Sequence, residues 1–253
     1  MALKYKTRAF VFKKSDINES DRIFSVFTQD YGRLNIFAKA IRKSVSKLRS
    51  GVGIFSMSDI EFIQGKNKKT LTETKLLEKF GSLTQDLEKF RVVNKIGEVL
   101  DNFLEGQEKD EAIFNLINET FIKLNSLEIG KIPTGNPPMG IKWKLEILYD
   151  YFLWNFLSFL GYKPEVYKCA SCRGKLNPYN LYFSNKTGGV ICKKCLGHDA
   201  LSQRINSDIV KLLRLIFKND WQVLSKLKIE SSSQKLFQKI SNEYCSYNSF
   251  KNS

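Results

Sequence analysis

The chain has 253 residues, 42% of them hydrophobic, which allows roughly one to three domains with cores of their own. Its 41 lysines and arginines outnumber 26 aspartates and glutamates, and the resulting net charge of +15 suggests a polyanionic partner, either nucleic acid or an anionic membrane surface. Membrane is the weaker choice: Lys4, Lys6 and Arg8 interrupt the apolar run an export signal needs, and the most apolar segment, Tyr151 to Tyr162, is too short to span a bilayer.

In chain order, "KYKTRAFVF", "RIFSVFT", "RLNIFAKA", "SDIEFIQ" and "KTLTETKLL" alternate apolar and polar residues, separated by turn material at "DINESD", "DYG" and "GKNKK". Five short strands so spaced predict a small barrel. Between the third and fourth lies Asn35 to Gly51, which carries Lys39, Arg42, Lys43, Lys47 and Arg49 and no acid; residues 31–58 contain no Asp or Glu at all. A basic segment tied to a sheet is a candidate phosphate-contacting surface, with a merely solvated face as the plain alternative.

From about Asp86 the period changes to that of helices. Leu87, Phe90, Val93, Ile96, Leu100, Phe103 and Leu104 share one predicted face, and "EAIFNLINETFIKLNSL" repeats the pattern. The stretch "GKIPTGNPPMG", with three of the five prolines, must be a loop. The segment Ile141 to Leu160 is apolar nearly all round, contains Trp143 and Trp154, and reads as the centre of a helical core. "SDIVKLLRLIFKNDWQVLSKLKI" and "SQKLFQKISNEYCSY" add two helices, the first with Asp208, behind Ser207, as its N-terminal cap. The closing "KNS" is expected to fray.

Four of the five cysteines form "CASC" and "CKKC", with Cys169 and Cys172 separated from Cys192 and Cys195 by residues 173–191. That interval lies in the roughly 15–20-residue range of four-cysteine zinc sites. Two Cys-x-x-Cys turns complete the tetrahedral shell zinc prefers, and Gly174 and Gly197 are placed to supply a positive φ after each pair. "LYFSNKTGGVIC" reads as strand, Gly-Gly turn and strand, the outline of a zinc ribbon. Two disulfides are the alternative, disfavoured because nothing signals export. With every position filled by cysteine the metal is expected to be one structural zinc, and Cys245 a buried thiol. His198, the only histidine, is a minor substitute as ligand. No Walker-type loop or zinc-deaminase pattern is present, so an enzyme is the minority reading.

The stretch "ESDRIFSVFTQDYGRLNIFAKAIRKSVSKLRS", Glu19 to Ser50, is similar to the Glu-Ser-Asp-Arg turn, the Gly-Arg-Leu turn and the Ala-Lys-Gly-x-Arg basic element of the RecO family of bacterial recombination mediators. "LTETKLLE", Leu71 to Glu78, resembles the end of the same domain, and the cysteine pairs with "TGGVIC" resemble the family's zinc-bearing members. Two departures stand out: Ala40 replaces the usual glycine, which puts the loop's backbone geometry in question, and "GVGIFSM" lacks the proline common before that strand.

The resemblance implies an α+β chain: an N-terminal five-stranded OB-fold β-barrel at 1–82 that binds nucleic acid, then an all-α domain at 83–253 carrying a four-cysteine zinc-ribbon-like insertion at 167–198. It implies a non-enzymatic DNA-binding recombination mediator of the bacterial cytoplasm, associated with the nucleoid. Such a protein binds single- and double-stranded DNA, anneals complementary strands and, with RecR, helps load RecA on strands coated by the single-stranded-DNA-binding protein. Lys39, Arg42, Lys43, Lys47 and Arg49 are then the expected phosphate contacts, with Arg33 and Lys13 behind them. Phe37 can stack on a base, although its place in a strand favours core packing. Lys168, Arg173, Lys175, Lys193 and Lys194 offer a second surface or simple solvation. The acidic, apolar C-terminal tail of the single-stranded-DNA-binding protein is expected near Lys211, Arg214 and Lys218. A basic zinc-ribbon RNA-binding translation or transcription factor is the alternative, and a zinc-dependent nuclease a third.

Overall fold

The computed structural model describes residues 3–104, 106, 108–128, 139–199 and 201–249, without the side chains of Met139 and His198. The proline-rich stretch 130–138 and the terminal "KNS" lie outside the described residues. The chain divides into two compact units, Met1–Glu128 and Ile129–Ser253. No helix among the described residues is long and apolar enough to cross a membrane.

In the first unit, strands β1 (Lys4–Asp16), β2 (Arg22–Thr28), β3 (Gly32–Ala38), β4 (Ser56–Gln64) and β5 (Lys69–Lys79) close a barrel in the order β1-β2-β3-β5-β4. This is the expected five-stranded OB-type barrel. Closure depends on a short parallel contact in which Ile36 and Phe37 of β3 face Lys69 and Thr70 of β5; the other pairings are antiparallel. Strand alternation puts Ala9, Val11, Phe24, Val26, Leu34, Ile36, Ile60, Phe62 and Leu71 inside.

The opposite parity of β1 points Phe10 outward, where its ring lies 6.2, 5.3 and 5.5 Å from those of Phe80, Phe114 and Phe121. This aromatic cluster packs α3 (Glu111–Ser126) and the start of α1 (Gly81–Gln85) on the barrel, and α2 (Leu87–Phe103) approaches β1 through Gly97 and Asp101, so all three helices belong to the first unit although their periodicity groups them with the helices that follow. The buried stripe of α2 runs through Val92, Val93, Ile96, Val99, Leu100 and Phe103; Leu87, expected on it, is 62% exposed. Asp86 caps α2 by accepting from Glu88 N and Lys89 N, which puts Leu87 in the first turn, before the stripe begins. Lys89 is buried instead, its Nζ donating to Ser82 Oγ and the Asn125 carbonyl, and burial lowers its pKa against the pull of Asp86.

The second unit is built on α4 (Met139–Phe159). Trp154 at its centre is fully buried, stacks on Tyr244 at 5.0 Å and donates its indole N–H to Ser241 Oγ at 2.9 Å. A three-stranded sheet of β6 (Leu181–Ser184), β7 (Gly189–Cys192) and β8 (Gln203–Ile205) follows, in the order β7-β6-β8, with a short 3-10 turn at Lys193–His198. Helices α5 (Ser207–Phe217), α6 (Trp221–Leu224) and α7 (Ser231–Ser249) complete it.

Two expectations are corrected here. The cap of α5 is Asn206, which accepts from Ile209 N, while Asp208 lies in the first turn and pairs with Lys211. The single helix expected over "SDIVKLLRLIFKNDWQVL" is two, because Asn219 takes a left-handed φ of 55° and Asp220 caps a new start by accepting from Val223 N.

Candidate nucleic-acid interface and metal centre

The basic segment between β3 and β4 is a series of turns whose apolar residues plug the barrel mouth. Ile41 and Val52 are buried in the barrel core and Leu48 packs against it, leaving Lys39, Arg42, Lys43, Lys47 and Arg49 exposed. Gly51 presses so closely on β5 that a Cβ there would lie 2.0 Å from Thr74 Oγ1, and that hydroxyl donates to the Leu48 carbonyl at 3.1 Å.

The near end of the segment is tied to the β1–β2 turn. Asp21 accepts from the Ala40 amide at 2.7 Å, and the Arg42 amide donates to Ser20 O at 3.0 Å. The Ala40 hydrogen bond, helped by Asn18, holds the Asp21 carboxyl below its ordinary range. Ala40 itself has φ 54°, the left-handed geometry glycine favours. The backbone conformation is therefore kept without the usual glycine, and Asp21 is the bond that compensates the strain.

The seven basic residues singled out from sequence do not form one set. Lys39, Arg42, Lys43, Lys47 and Arg49 share the turns, and among the described residues Lys43, Lys47 and Arg49 have no carboxylate within ion-pair distance. Lys13 and Arg33 instead converge on Asp101 of α2. Burial pushes the Asp101 carboxyl up, but its two cations outweigh this and hold it low.

Phe37 sits on the outer face of β3, half-buried, because Leu34, Ile36 and Ala38 take the inward parity; its placement corrects the expectation of core packing. Lys68 Nζ lies 3.8 Å from its ring centroid. The β4–β5 turn thereby brings exposed Lys66 and Lys68 beside the end of β3. By sequence "GKNKK" reads as turn material alone; its three lysines and the parity of Phe37 are the signals that place it at this surface.

In the second unit the four expected cysteines meet. The Sγ atoms of Cys169, Cys172, Cys192 and Cys195 all lie within 4.8 Å of one another, with Cys172 to Cys192 at 3.9 Å and Cys192 to Cys195 at 3.7 Å. Four thiolates about 2.3 Å from a central zinc stand about 3.8 Å apart, so the cluster fits tetrahedral coordination. Such separations are far beyond the roughly 2.05 Å of a disulfide. Cys169 and Cys195 are buried against Ile191, Leu176 and Tyr182, while Cys172 is exposed.

Burial pushes the Cys169 thiol up, but backbone N–H groups of Cys172, Cys192 and Ser171 outweigh it and bring it to about 6. For Cys195 a Ser171 hydrogen bond favours the thiolate, yet burial and the three neighbouring thiols carry it to about 11. Four thiolates this close need a cation. Burial likewise lifts the half-buried Cys245 to about 11, which fits an inert packed thiol.

The positive φ expected at Gly174 and Gly197 falls on Arg173, at 62°. The first turn closes one residue early, with Arg173 N donating to Cys169 O, and the second pair is turned by the 3-10 helix. Glu165 supports the first turn, accepting from Tyr167 N and facing Arg173 at 3.3 Å. Exposed Lys175, Lys193 and Lys194 rim a cleft of about 700 Å³ beside Cys172 and Cys192. The side chain of His198 lies outside the described residues.

Comparison with known proteins adds the family. The model described as "Recombination protein O N terminal" matches residues 1–80, and "Recombination protein O C terminal" matches residues 143–252. A DNA repair protein RecO of Alkaliphilus metalliredigens is 28% identical over 239 residues, 94% of this chain and 91% of the relative. Those of Dehalococcoides mccartyi (strain BAV1) and Caldanaerobacter subterraneus subsp. tengcongensis are each 30% identical, over 225 residues (89% of this chain, 83% of the relative) and 239 residues (94% and 90%). With both halves matched and similarity running nearly end to end, this chain belongs to the RecO family of bacterial DNA repair and recombination proteins.

Proposed function

We propose that this chain acts without catalysis, binding single- and double-stranded DNA, annealing complementary strands and, together with RecR, helping RecA onto strands coated by the single-stranded-DNA-binding protein. One observation carries the reading: an acid-free basic turn is clamped over a barrel mouth, with Phe37 and the lysines of the β4–β5 turn beside it. Cations track phosphates and a ring on an outer face, such as the half-buried Phe37, accepts any base once the lysine over it gives way, which is the sequence tolerance that annealing requires. Residues 1–82 serve as the nucleic-acid-binding domain and 83–253 as the helical domain, with segment 167–198 held by one structural zinc. Lys39, Arg42, Lys43, Lys47 and Arg49 are the phosphate contacts. Lys13 and Arg33, already shared with Asp101, support the barrel and contribute less.

The tail of the single-stranded-DNA-binding protein is placed at a cleft of about 200 Å³ between Leu176, Pro178 and Leu181 and Val210 of α5, bordered by Lys211 and Arg214. Arg214 also donates to the Val166 carbonyl at 3.0 and 2.7 Å, so Lys211→Glu is the cleaner test of tail-peptide binding.

The deciding experiment measures DNA affinity against salt and annealing of coated strands without nucleotide. Four or five phosphate contacts give a log–log salt slope of about −3 on single strands, at about −0.7 per contact. Arg42→Glu with Lys43→Glu is expected to weaken binding to all sequences alike, flatten the slope by about one unit or more and slow annealing, with circular dichroism unchanged. Unchanged affinity and slope in a folded double variant count against this surface.

A further inference from the structure

Arg22 belongs to the Glu-Ser-Asp-Arg turn and lies outside the basic segment. The structure brings it together with two arginines of the basic turn. Arg22, Arg42 and Arg49 line one cleft of about 260 Å³ whose floor is Phe24, Ile41 and Val52. That is several times the roughly 30 Å³ share of a liquid water molecule. The Arg22 guanidinium carbon stands 5.9 Å from the Phe24 ring centroid and is held by Asp16, whose Oδ1 accepts from Arg22 Nε at 2.6 Å. Arg42 reaches the same carboxylate at 3.6 Å and donates to the Asn18 carbonyl at 2.7 Å.

Asp16 is exposed and is shared by Arg22 and Arg42, with Lys14 adding to the positive charge around it. Two guanidiniums thus share one carboxylate and a third, that of Arg49, lines the same cleft without a carboxylate of its own among the described residues, above an apolar floor where a further anion is felt more strongly than in open water. Guanidinium forks match the oxygens of a phosphate in pairs, as the flexible point charges of Lys43 and Lys47 do not.

We propose that Arg22, Arg42 and Arg49 form a pocket for one phosphate group of a nucleic-acid strand, with Asp16 as the internal anion that the phosphate displaces. This rests on the nucleic-acid reading of the basic turn and adds a defined subsite to it. The phosphate is either an internal diester or the phosphate of a strand end, and the two sources give different results.

The test titrates the full-length protein with one fluorescent single strand in hydroxyl-ended, 5′-phosphorylated and 3′-phosphorylated forms, with circular dichroism and a thermal midpoint for each variant. Arg22→Gln and Arg49→Gln are each expected to weaken binding about tenfold, and Lys43→Gln about threefold. Asp16→Asn is expected to tighten binding about threefold, a direction that a purely structural ion pair does not give. A phosphorylated strand bound several-fold better than its hydroxyl-ended twin, with that advantage lost in Arg22→Gln, identifies a strand-end phosphate. Equal binding of all three forms by the unaltered protein, with the tenfold loss intact, identifies an internal diester. Unaltered affinity in folded Arg22→Gln and Arg49→Gln, while Lys43→Gln still weakens binding, overturns the pocket and leaves the broader reading in place. Unaltered affinity in all of them overturns both, and weaker binding by Asp16→Asn overturns the displacement.

Discussion

Two segments present lysines and arginines, the turns at 39–55 on the barrel and the cysteine-bearing segment at 167–199, and they are held by different forces. The first is fastened by its own apolar residues, Ile41, Leu48 and Val52 in the barrel mouth, and by the Asp21 carboxylate on the Ala40 amide. Hydrophobic burial of that kind needs no ligand. The second draws on four sulfurs within 4.8 Å of each other, with Glu165 bracing one turn. A cluster of thiols gains its cohesion from the ion that neutralises it, so its folding energy is partly binding energy. The same surface chemistry is thus displayed on one support built from apolar packing and on another built around four sulfurs that could hold a metal ion.

Removing metal should separate the two segments most sharply. Zinc binding in small finger peptides is worth about 10–16 kcal/mol of folding free energy. Cys172→Ser, or a strong chelator, is therefore expected to make the metal content substoichiometric by elemental analysis and open 167–199 to protease. The barrel turns should keep their protection. Equal resistance of the cysteine segment with and without chelator would break the comparison.

A change on the other support should do the reverse. Gly51→Ala sets a Cβ 2.0 Å from Thr74 Oγ1 and pushes the basic segment off β5. A loss of about 1–3 kcal/mol in urea unfolding is expected for such overpacking, with metal content unaffected.

A smaller effect follows from acid. Asp21 titrates below the ordinary 3.8 because the Ala40 amide and Asn18 favour its carboxylate. Its contribution is complete above pH 3.8 and disappears as pH falls through the lowered folded value. The Ala40 amide proton shift should follow that titration, and Asp21→Asn should abolish it. The smallest change is expected from Ala40→Gly. The left-handed φ of 54° costs an L-residue about 1–2 kcal/mol, and the added freedom of glycine in the unfolded chain removes about 0.4–1 of the gain. A net stabilisation of about 0–1.6 kcal/mol in thermal unfolding is the expected result.

Sequence alone determined whatever rests on local period and spacing. Alternation over five segments specifies a barrel because a strand with one apolar face must bury it, and two Cys-x-x-Cys pairs specify a thiolate cluster because each short turn aims two sulfurs at one point. The break at Asn219 and Asp220 was also legible, as a left-handed C-terminal residue followed by a cap, though the apolar pattern running through it masked the signal. Tertiary structure alone decided which charges stay free. Lys13 and Arg33 are 88 and 68 positions from Asp101, and no local pattern shows that α2 will return to neutralise them. Arg22 likewise joins Arg42 and Arg49 only because the β1–β2 turn and the basic segment fold over the same end of the barrel. Charge is a property of the residue, but its availability depends on which opposite charge or hydrogen-bonding group the fold brings within reach, and such partners come from distant parts of the chain.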